Sequence, residues 1–332
     1  MPKIASACLI AASCLFAAAQ VHADTYSGLF IFGDSLSDSG NNAVWVGTNP
    51  TQVISGDDYF ARIPYASGNY TNGLVWSQQL AYSMGLAATP SLLGGTNYAF
   101  GGAETGIDGV DGPGGLPYSM TTQLNMYLGQ TGGVASADAL YIVAGGGNNA
   151  RAAMDAIAAG ADVGQTLANT AAAYANDIGL MVDALQAAGA RNILVWNTPN
   201  FGLTPLALSQ GIEGSVLGTT VASLMNSALD ARLAGETDLM RFDLYAFLTN
   251  TVVNAAALGL TDVTHACGAP TAGCDPATAL FYDAIHPTAY AHQLLAAGVM
   301  AVVVPEPASV VLLGLGLLGL GWRVRVRVQQ RR

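Results

Sequence analysis

The stretch GLFIFGDSLSD, Gly28–Asp38, joins a short apolar run to a polar turn. Its first part, Gly28–Phe32, is too short for a helix of ordinary length and carries β-branched and aromatic side chains, which indicates a strand. Ser35 follows that strand on the turn. Because Asp and Ser favour turns for their own backbone hydrogen bonds, the turn alone identifies no function. A nucleophilic serine also needs a base, so the function depends on partners elsewhere in the chain.

Other apolar runs share the length and composition of the first: Ala139–Val143, Asn192–Trp196 and the weaker Leu239–Leu244. Stretches with helical spacing accompany them: Val75–Met84, Arg151–Ala159, Thr166–Ala188, Ser215–Leu233 and Thr288–Val302. Strands that alternate with helices predict βαβ units and a three-layer α/β/α domain with a mostly parallel sheet. Functional residues of such sheets gather beyond the carboxyl ends of the strands, where Ser35 and Gly145–Gly147 are both predicted to lie.

The first 23 residues have the layout of a secretory signal peptide. Lys3 precedes an apolar stretch from Ile4 to Ala19, and the small residues Val21 and Ala23 suit a cleavage site. We expect residues 1–23 to be removed after export, together with the two cysteines among them. A core helix or an uncleaved anchor is the alternative, and the shortness of the run disfavours it.

The C-terminal residues combine a Pro-Glu-Pro motif, an apolar run and a basic tail. Val304–Pro307 reads VPEP, the uncharged run extends over 15 residues from Ala308 to Trp322, and five arginines follow it. A helix of that length rises about 22 Å, against roughly 30 Å for the hydrocarbon core, so the run is marginal as a transmembrane helix. Arginines favour the cytoplasmic side, which predicts that the body of the protein lies outside the inner membrane.

This arrangement resembles the PEP-CTERM sorting signal of Gram-negative bacteria. The resemblance implies transient anchoring in the inner membrane, processing by an exosortase near the Pro-Glu-Pro motif, and export to the cell surface or extracellular matrix. An ordinary tail anchor has the same physical pattern and is the alternative.

Residues 24–304 are strongly acidic once both ends are set aside. They contain five arginines, no lysine and 21 acidic residues, a formal charge near −16. That charge argues against nucleic acid or an anionic lipid surface as a partner. Cys267 and Cys274 are the cysteines of this stretch, and their short spacing favours a local disulfide in an oxidising compartment over a metal site.

The segment YDAIHPT, Tyr282–Thr288, offers a base for Ser35. Asp283 precedes His286 by three residues, and side chains with that spacing lie near each other on a helical turn. Asp283 would then orient one ring nitrogen of His286 while the other faces Ser35. Taken alone, Asp-x-x-His before a proline is more often a helix N-cap than a catalytic pair.

Two glycine-rich segments offer donors for a developing oxyanion. NYAFGGAET, Asn97–Thr105, contains Gly101, whose missing side chain would let its backbone N–H approach a substrate. AGGGNNA, Ala144–Ala150, contains Asn148, whose amide can donate directly. Each segment on its own is equally well a glycine turn.

In chain order, GDSLSD, NYAFGGA, GGGNN and YDAIHPT resemble the four blocks of the GDSL, or Ser-Gly-Asn-His, hydrolase family, over about Leu29–Val302. NTPNFGLTP and TNGLVW are similar to segments of its secreted bacterial and plant-type branch. The resemblance implies a flavodoxin-like α/β/α fold, with Ser35 as nucleophile, His286 as general base and Asp283 as its orienting group. It also implies three oxyanion donors, namely the backbone N–H groups of Ser35 and Gly101 and the Asn148 side chain.

The resemblance implies a secreted carboxylic ester hydrolase, an esterase or lipase, that forms an acyl-enzyme and uses neither metal nor cofactor. Its implied substrates are small-molecule, lipid or acylated glycan esters. A polysaccharide O-acetyl esterase and a non-catalytic surface protein on the same scaffold are the alternatives. Asn149 stands where the family usually has a structural Asp, and we expect activity to survive this departure. The predicted organisation is a signal peptide at residues 1–23, a hydrolase domain at 24–303 and a sorting signal at 304–332.

Overall fold

The computed structural model describes residues 26–110 and 116–304. The predicted signal peptide and the apolar run and arginine tail of the predicted sorting signal lie outside the described residues. Within those two ranges, no helix is both long enough and apolar enough to cross a membrane. Tyr26–Val302 forms one compact unit that contains the strands and helices, and the last helix extends one residue beyond it to Val303.

Four parallel strands form the central sheet in the order β1-β2-β3-β4. They are β1 Leu29–Gly33, β2 Leu140–Ala144, β3 Asn192–Trp196 and β4 Leu239–Phe242. All five residues of β2 are buried, as expected for a parallel sheet that is covered on both faces. The strands predicted from the sequence are confirmed to within one or two residues at each end.

Residues 96–100 run beside the free edge of β1 as a rudimentary fifth strand. The N–H of Ile31 donates to the Thr96 carbonyl at 3.2 Å, and the N–H of Tyr98 donates back to the Ile31 carbonyl at 2.8 Å. The bridge between Ile31 and Asn97 is parallel. With this segment counted second along the chain, the spatial order becomes 2-1-3-4-5, the order of the flavodoxin-like fold that the resemblance implies.

Nine α-helices are described within residues 26–110 and 116–304. In chain order they are α1 Asn41–Val46, α2 Trp76–Ser83, α3 Met120–Gln130, α4 Gly147–Ala158, α5 Val163–Ala188, α6 Pro205–Ser209, α7 Gly211–Arg232, α8 Leu244–Val253 and α9 Ala289–Val303. The five helices predicted from spacing correspond to α2, α4, α5, α7 and α9. The sequence reasoning missed α1, α3, α6 and α8, of which α1 and α6 are too short to show a helical period.

Alternate residues of the strands face two different helical layers. Tyr141, Val143 and Val195 lie in the main apolar core with side chains of α3, α4, α5 and α7. On the opposite face, Trp196 at the end of β3 packs against Trp76 of α2, with ring centroids 5.0 Å apart. The compact unit Tyr26–Val302 is therefore a three-layer α/β/α sandwich.

A second, two-stranded parallel sheet leads into the C-terminal motif. It consists of β5 Asp262–Ala266 and β6 Ala279–Phe281, which the sequence reasoning missed because β5 is mostly polar and β6 has three residues. Cys267 and Cys274 form a disulfide in the loop between them, with a Cα–Cα distance of 5.3 Å. The Asp262 carboxylate lies near both sulfurs, but these are bonded to each other and are not free to bind a metal.

Candidate active site

Ser35 lies on a tight turn at the carboxyl end of β1. The Asp34 carbonyl accepts hydrogen bonds from the N–H groups of Ser37 and Asp38, and the Asp34 carboxylate accepts one from Leu36 at 3.0 Å. Gly33 precedes the turn, and a Cβ there would lie 2.5 Å from the Ala144 carbonyl of the neighbouring strand. The glycine therefore lets the strand end close to β2, and the turn lifts Ser35 beyond the sheet.

The hydroxyl of Ser35 and the imidazole of His286 are in hydrogen-bond contact. Ser35 Oγ lies 2.8 Å from His286 Nε2, although 251 positions separate the two residues in the chain. On the other side of the ring, His286 Nδ1 lies 2.9 Å from Asp283 Oδ1 and 2.8 Å from Asp283 Oδ2. An ionised carboxylate only accepts, so Nδ1 carries the proton and the Nε2 lone pair faces the serine hydroxyl.

Asp283 is fully buried and held by several donors. Burial by itself would raise the pKa of this carboxyl, but its contact with His286 and the backbone N–H groups of Ile285 and Ala61 lower the pKa below its ordinary value. The N–H of Ile285 donates at 3.0 Å and that of Ala61 at 3.1 Å. Asp283 is therefore ionised at neutral pH and fixed relative to the ring.

The sequence reasoning missed two tyrosines of the segment between α1 and α2. The Tyr65 hydroxyl donates to Asp283 Oδ2 at 2.8 Å, and the Tyr70 ring lies 5.3 Å from the His286 ring, centroid to centroid. Because more than 200 positions separate these tyrosines from the Asp283–His286 pair, no local spacing in the sequence indicates the contacts.

Gly101 does not offer a free donor. Its N–H donates to Asp38 Oδ2 at 3.0 Å, so the structure contradicts the expectation that this N–H faces a substrate. The next residue, Gly102, is exposed and has φ +88°, a conformation that favours glycine. Its N–H has no acceptor within residues 26–110 and 116–304, and Gly102 lines the same cleft as Ser35.

Asn148 lies where it was expected, as the second residue of α4 and beyond the carboxyl end of β2. Its Nδ2 donates one hydrogen to the Ala103 carbonyl at 3.0 Å, which fixes the amide plane. The other hydrogen has no acceptor in the described part of the chain. The N–H of Ser35 is likewise without an acceptor there, and Ser35, Gly102 and Asn148 border one cleft.

Asn149 supports the loop that follows Gly102. Its Oδ1 accepts from the N–H of Thr105 at 3.2 Å, and its Nδ2 donates to Thr105 Oγ1 at 3.1 Å. Thr105 Oγ1 in turn donates to Asp177 at 2.7 Å. An aspartate at position 149 could not donate to Thr105 Oγ1, so the asparagine suits this chain of bonds.

The cleft has two branches that meet at Ser35 and His286. The narrow branch, about 70 Å³, has a mainly apolar lining that includes Phe247, Leu280 and Leu295. The wide branch, about 480 Å³, is bordered by charged and apolar side chains together, including Arg62 and Glu104. An ester carbonyl at Ser35 therefore has room on both sides, one apolar and one mixed.

The other two described histidines do not border this cleft. His265 lies on β5, is exposed and bonds to Asp262 through Nδ1 at 2.8 Å. His292 is buried on α9, which packs this face against α2, and its Nδ1 accepts from the N–H of Trp76 at 3.2 Å. Burial, assisted by the nearby His286, lowers the pKa of His292 to about 3.

His292 is expected to make stability depend on pH. Its folded pKa lies below the roughly 6.5 of an unfolded histidine, so its stabilising contribution is lost as pH falls from about 6.5 towards 3. In His292→Gln that titration is absent, while the amide oxygen still offers an acceptor. We expect the wild-type free energy of unfolding to drop relative to the variant by up to about 1.4 kcal/mol per pH unit in that window.

Urea denaturation of both proteins between about pH 5 and 8 measures this difference. His265→Gln is the control, because bonding to Asp262 raises the pKa of His265 and gives the opposite sign. Parallel curves for the wild type and His292→Gln would show that His292 is protonated alike in the folded and unfolded states.

Comparisons with known proteins give matches for the compact unit and for the C-terminal residues that follow it. Residues 29–299 match the family described as GDSL-like Lipase/Acylhydrolase, and residues 303–326 match the PEP-CTERM protein-sorting motif. Esterase EstA of Pseudomonas aeruginosa is 29% identical over 89% of this chain and 49% of its own length. A GDSL esterase/lipase of Arabidopsis thaliana is 26% identical over 82% of this chain and 88% of its own. The chain spans about half the length of the first curated relatives that it matches.

Proposed function

The chain belongs to the GDSL-like lipase/acylhydrolase family, and we propose that it is a serine ester hydrolase that works through an acyl-enzyme. The observation that carries the proposal is the continuous contact from Ser35 through His286 to the buried Asp283, open to a cleft at the serine. Hydrolysis of p-nitrophenyl butyrate by the chain, and loss of that hydrolysis in the Ser35→Ala variant, is the test.

In the proposed reaction, Ser35 Oγ attacks the ester carbonyl carbon while His286 Nε2 takes the hydroxyl proton. The carbonyl π-electron pair moves to oxygen and forms an oxyanion. When that pair returns, the bond to the alkoxy group breaks, and His286 gives its proton to the departing alcohol. Water then attacks the acyl-enzyme with His286 again as base, which releases the carboxylic acid and restores Ser35. No metal or cofactor takes part in these steps.

Asp283 would serve this reaction through its negative charge and by orienting the His286 ring. Its carboxylate fixes the Nδ1–H tautomer of His286 and offsets the positive charge that the ring gains when it accepts the serine proton. The low pKa of Asp283 supports this role, because the group stays ionised while the ring is charged.

Three donors would stabilise the oxyanion: the N–H of Ser35, the N–H of Gly102 and the amide of Asn148. Gly102 takes the role that the sequence assigned to Gly101, because the Gly101 N–H is already bonded to Asp38. Donors that are fixed before the reaction lose little orientational freedom when charge develops, which is why they lower the barrier.

The two branches of the cleft suggest how an ester is placed. The apolar narrow branch suits the acyl chain, and the wide mixed branch suits a larger alcohol portion. Lipid and other small esters fit this division. The contacts of Ser35 favour catalysis over the non-catalytic alternative, since a purely structural scaffold has no need of an oriented serine beside an open cleft.

The sorting motif at residues 303–326 indicates export and association with the cell surface or matrix of a Gram-negative bacterium. We further propose that residues 1–23 act as the signal peptide and residues 24–303 as the hydrolase domain. An exosortase-type enzyme would process the chain near Pro305–Pro307 after transient anchoring in the inner membrane.

Tyr65 is proposed as a positioning residue, and Tyr65→Phe is expected to lower kcat about tenfold. The variant removes a hydrogen bond to a buried charge, which is worth about 1.5–3 kcal/mol. With one donor fewer, the Asp283–His286 pair binds its proton more tightly. The acid limb of the pH profile of kcat/KM should therefore move to higher pH by up to about one unit.

Tyr282→Phe is the matched control for this change. The Tyr282 ring packs edge-on against Tyr65 at 4.9 Å, and its hydroxyl makes no hydrogen bond to Asp283. If both variants gave the same kcat and the same pH profile, Tyr65 would have no positioning role beyond packing.

A further inference from the structure

Three segments that border the wide branch of the cleft expose large apolar side chains to water. We call these five residues the apolar rim: Trp45, Val46, Ile63, Ile107 and Val110. Their exposed fractions range from 37% at Trp45 to 93% at Val110. The rim residues come from the end of α1 and from two separate loops, yet they surround one opening.

Single exposed apolar residues are normal on a protein surface, but several that border one opening indicate an interaction site. Here the group is continuous with the path to Ser35, because the same cleft reaches His286 and Asn148. Any molecule that covers the rim also covers the entrance for the ester. A permanently bound protein would close that entrance. The occupant that fits is therefore the substrate itself, in the form of an aggregate that presents its esters at a surface.

The charged side chains at the opening indicate the net charge of the surface that would bind there. Residues 24–304 carry a formal charge near −16, but the charged side chains that border the wide branch are two arginines and two carboxylates. Arg62 and Arg151 each lie over the Phe60 ring, at 5.4 and 5.3 Å from its centroid. The charges at the opening thus cancel, although residues 24–304 as a whole are strongly acidic. This distribution suits a lipid surface without net charge and not an anionic one.

We propose that the apolar rim binds the surface of aggregated, uncharged or zwitterionic ester lipid and holds the cleft against it. The proposal rests on the proposed ester hydrolysis and names its substrate class. Trp45 suits this contact because its ring places an apolar body and one N–H donor at a boundary between lipid and water. A hydrated glycan surface offers little apolar area with which to cover the four aliphatic side chains of the rim.

The first experiment compares rates on an emulsion and in solution. The rim variant carries Trp45→Ser, Ile107→Ser and Val110→Ser, and the control carries Ile212→Ser, Val216→Ser and Leu224→Ser on α7, which are also exposed. The measured quantity is the rate on emulsified tributyrin divided by the rate on dissolved p-nitrophenyl acetate. We expect this ratio to fall about tenfold in the rim variant and to stay unchanged in the control.

The second experiment measures binding without hydrolysis, in the full chain with Ser35→Ala. Flotation with phosphatidylcholine vesicles should carry the protein, and the rim changes should reduce the bound fraction. Added phosphatidylglycerol should weaken binding because of the acidic body. Rim and control variants share the same terminal segments, so a difference between them reports the rim.

Equal ratios and equal vesicle binding in the two variants would overturn the inference, as would a preference for acetylated glycan over tributyrin. A dimer that the rim changes abolish, with no vesicle binding, would also overturn it. If the protein hydrolysed dissolved esters but not emulsified ones, the lipid inference would fail and the proposed ester hydrolysis would stand. If no ester were hydrolysed, the proposed function would fail, and vesicle binding would still report the lipid contact.

Discussion

Ser35→Ala is expected to reduce kcat/KM on p-nitrophenyl butyrate by at least about 10⁴-fold. The variant removes the atom that forms the acyl-enzyme, and the neighbouring His286 then has no hydroxyl to deprotonate. The oxyanion donors remain, so a small residual rate over water is expected. Because the hydroxyl makes one described contact and is small, thermal unfolding should change little.

Ser39→Ala is the matched control, since it makes the same chemical change four residues further along the same segment. The Ser39 hydroxyl is buried and has no hydrogen-bond partner among the described residues. It should keep wild-type activity. Mass spectrometry after treatment with an organophosphonate should find a single adduct on the peptide that contains Ser35. Equal turnover by the wild type and Ser35→Ala, or no turnover by either, would remove the catalytic assignment.

Asp283→Asn is expected to lower kcat about 10⁴-fold, the size of the effect that loss of the correct imidazole tautomer has in serine triads. The asparagine amide would donate to His286 Nδ1, which forces the ring proton onto Nε2. That nitrogen then cannot accept the serine proton. The variant would also leave the ring without a negative charge beside it when it becomes protonated.

Asp262→Asn offers a control inside the same chain. Asp262 bonds to His265 with the same three-residue spacing and the same 2.8 Å contact, but His265 is exposed and does not contact Ser35. This variant should keep kcat. Stopped-flow or steady-state assays of both variants measure the difference. Comparable losses in the two would mean that Asp283 acts through stability and not through His286.

Much of the central sheet could be predicted because its strands are buried on both faces. Ala139–Val143 and Asn192–Trp196 are apolar runs whose neighbours along the chain have helical spacing, so element type follows from composition. The small second sheet could not be predicted. Asp262–Ala266 is mostly polar and Ala279–Phe281 is very short, and their pairing depends on where the rest of the chain places them.

The donors of the site were only partly predictable. Asn148 followed from its position after a predicted strand. The choice between Gly101 and Gly102 did not, because a Gly-Gly pair carries no signal for which N–H is already bonded. Asp38 decides that choice from a position more than 60 residues earlier. The contact of Tyr65 with Asp283 has the same origin in long-range packing.

Two Asp-x-x-His pairs, Asp262–His265 and Asp283–His286, show most clearly the difference between what the sequence and what the tertiary structure determines. The sequence by itself indicated that Asp283 can bond His286, because side chains three residues apart lie near each other on a helical turn. Only the tertiary structure decided that the second pair is buried against Ser35 while the first faces water. The physical reason is that the turn after β1 and the segment after β6 are brought together by the fold, and no local rule specifies where distant segments meet.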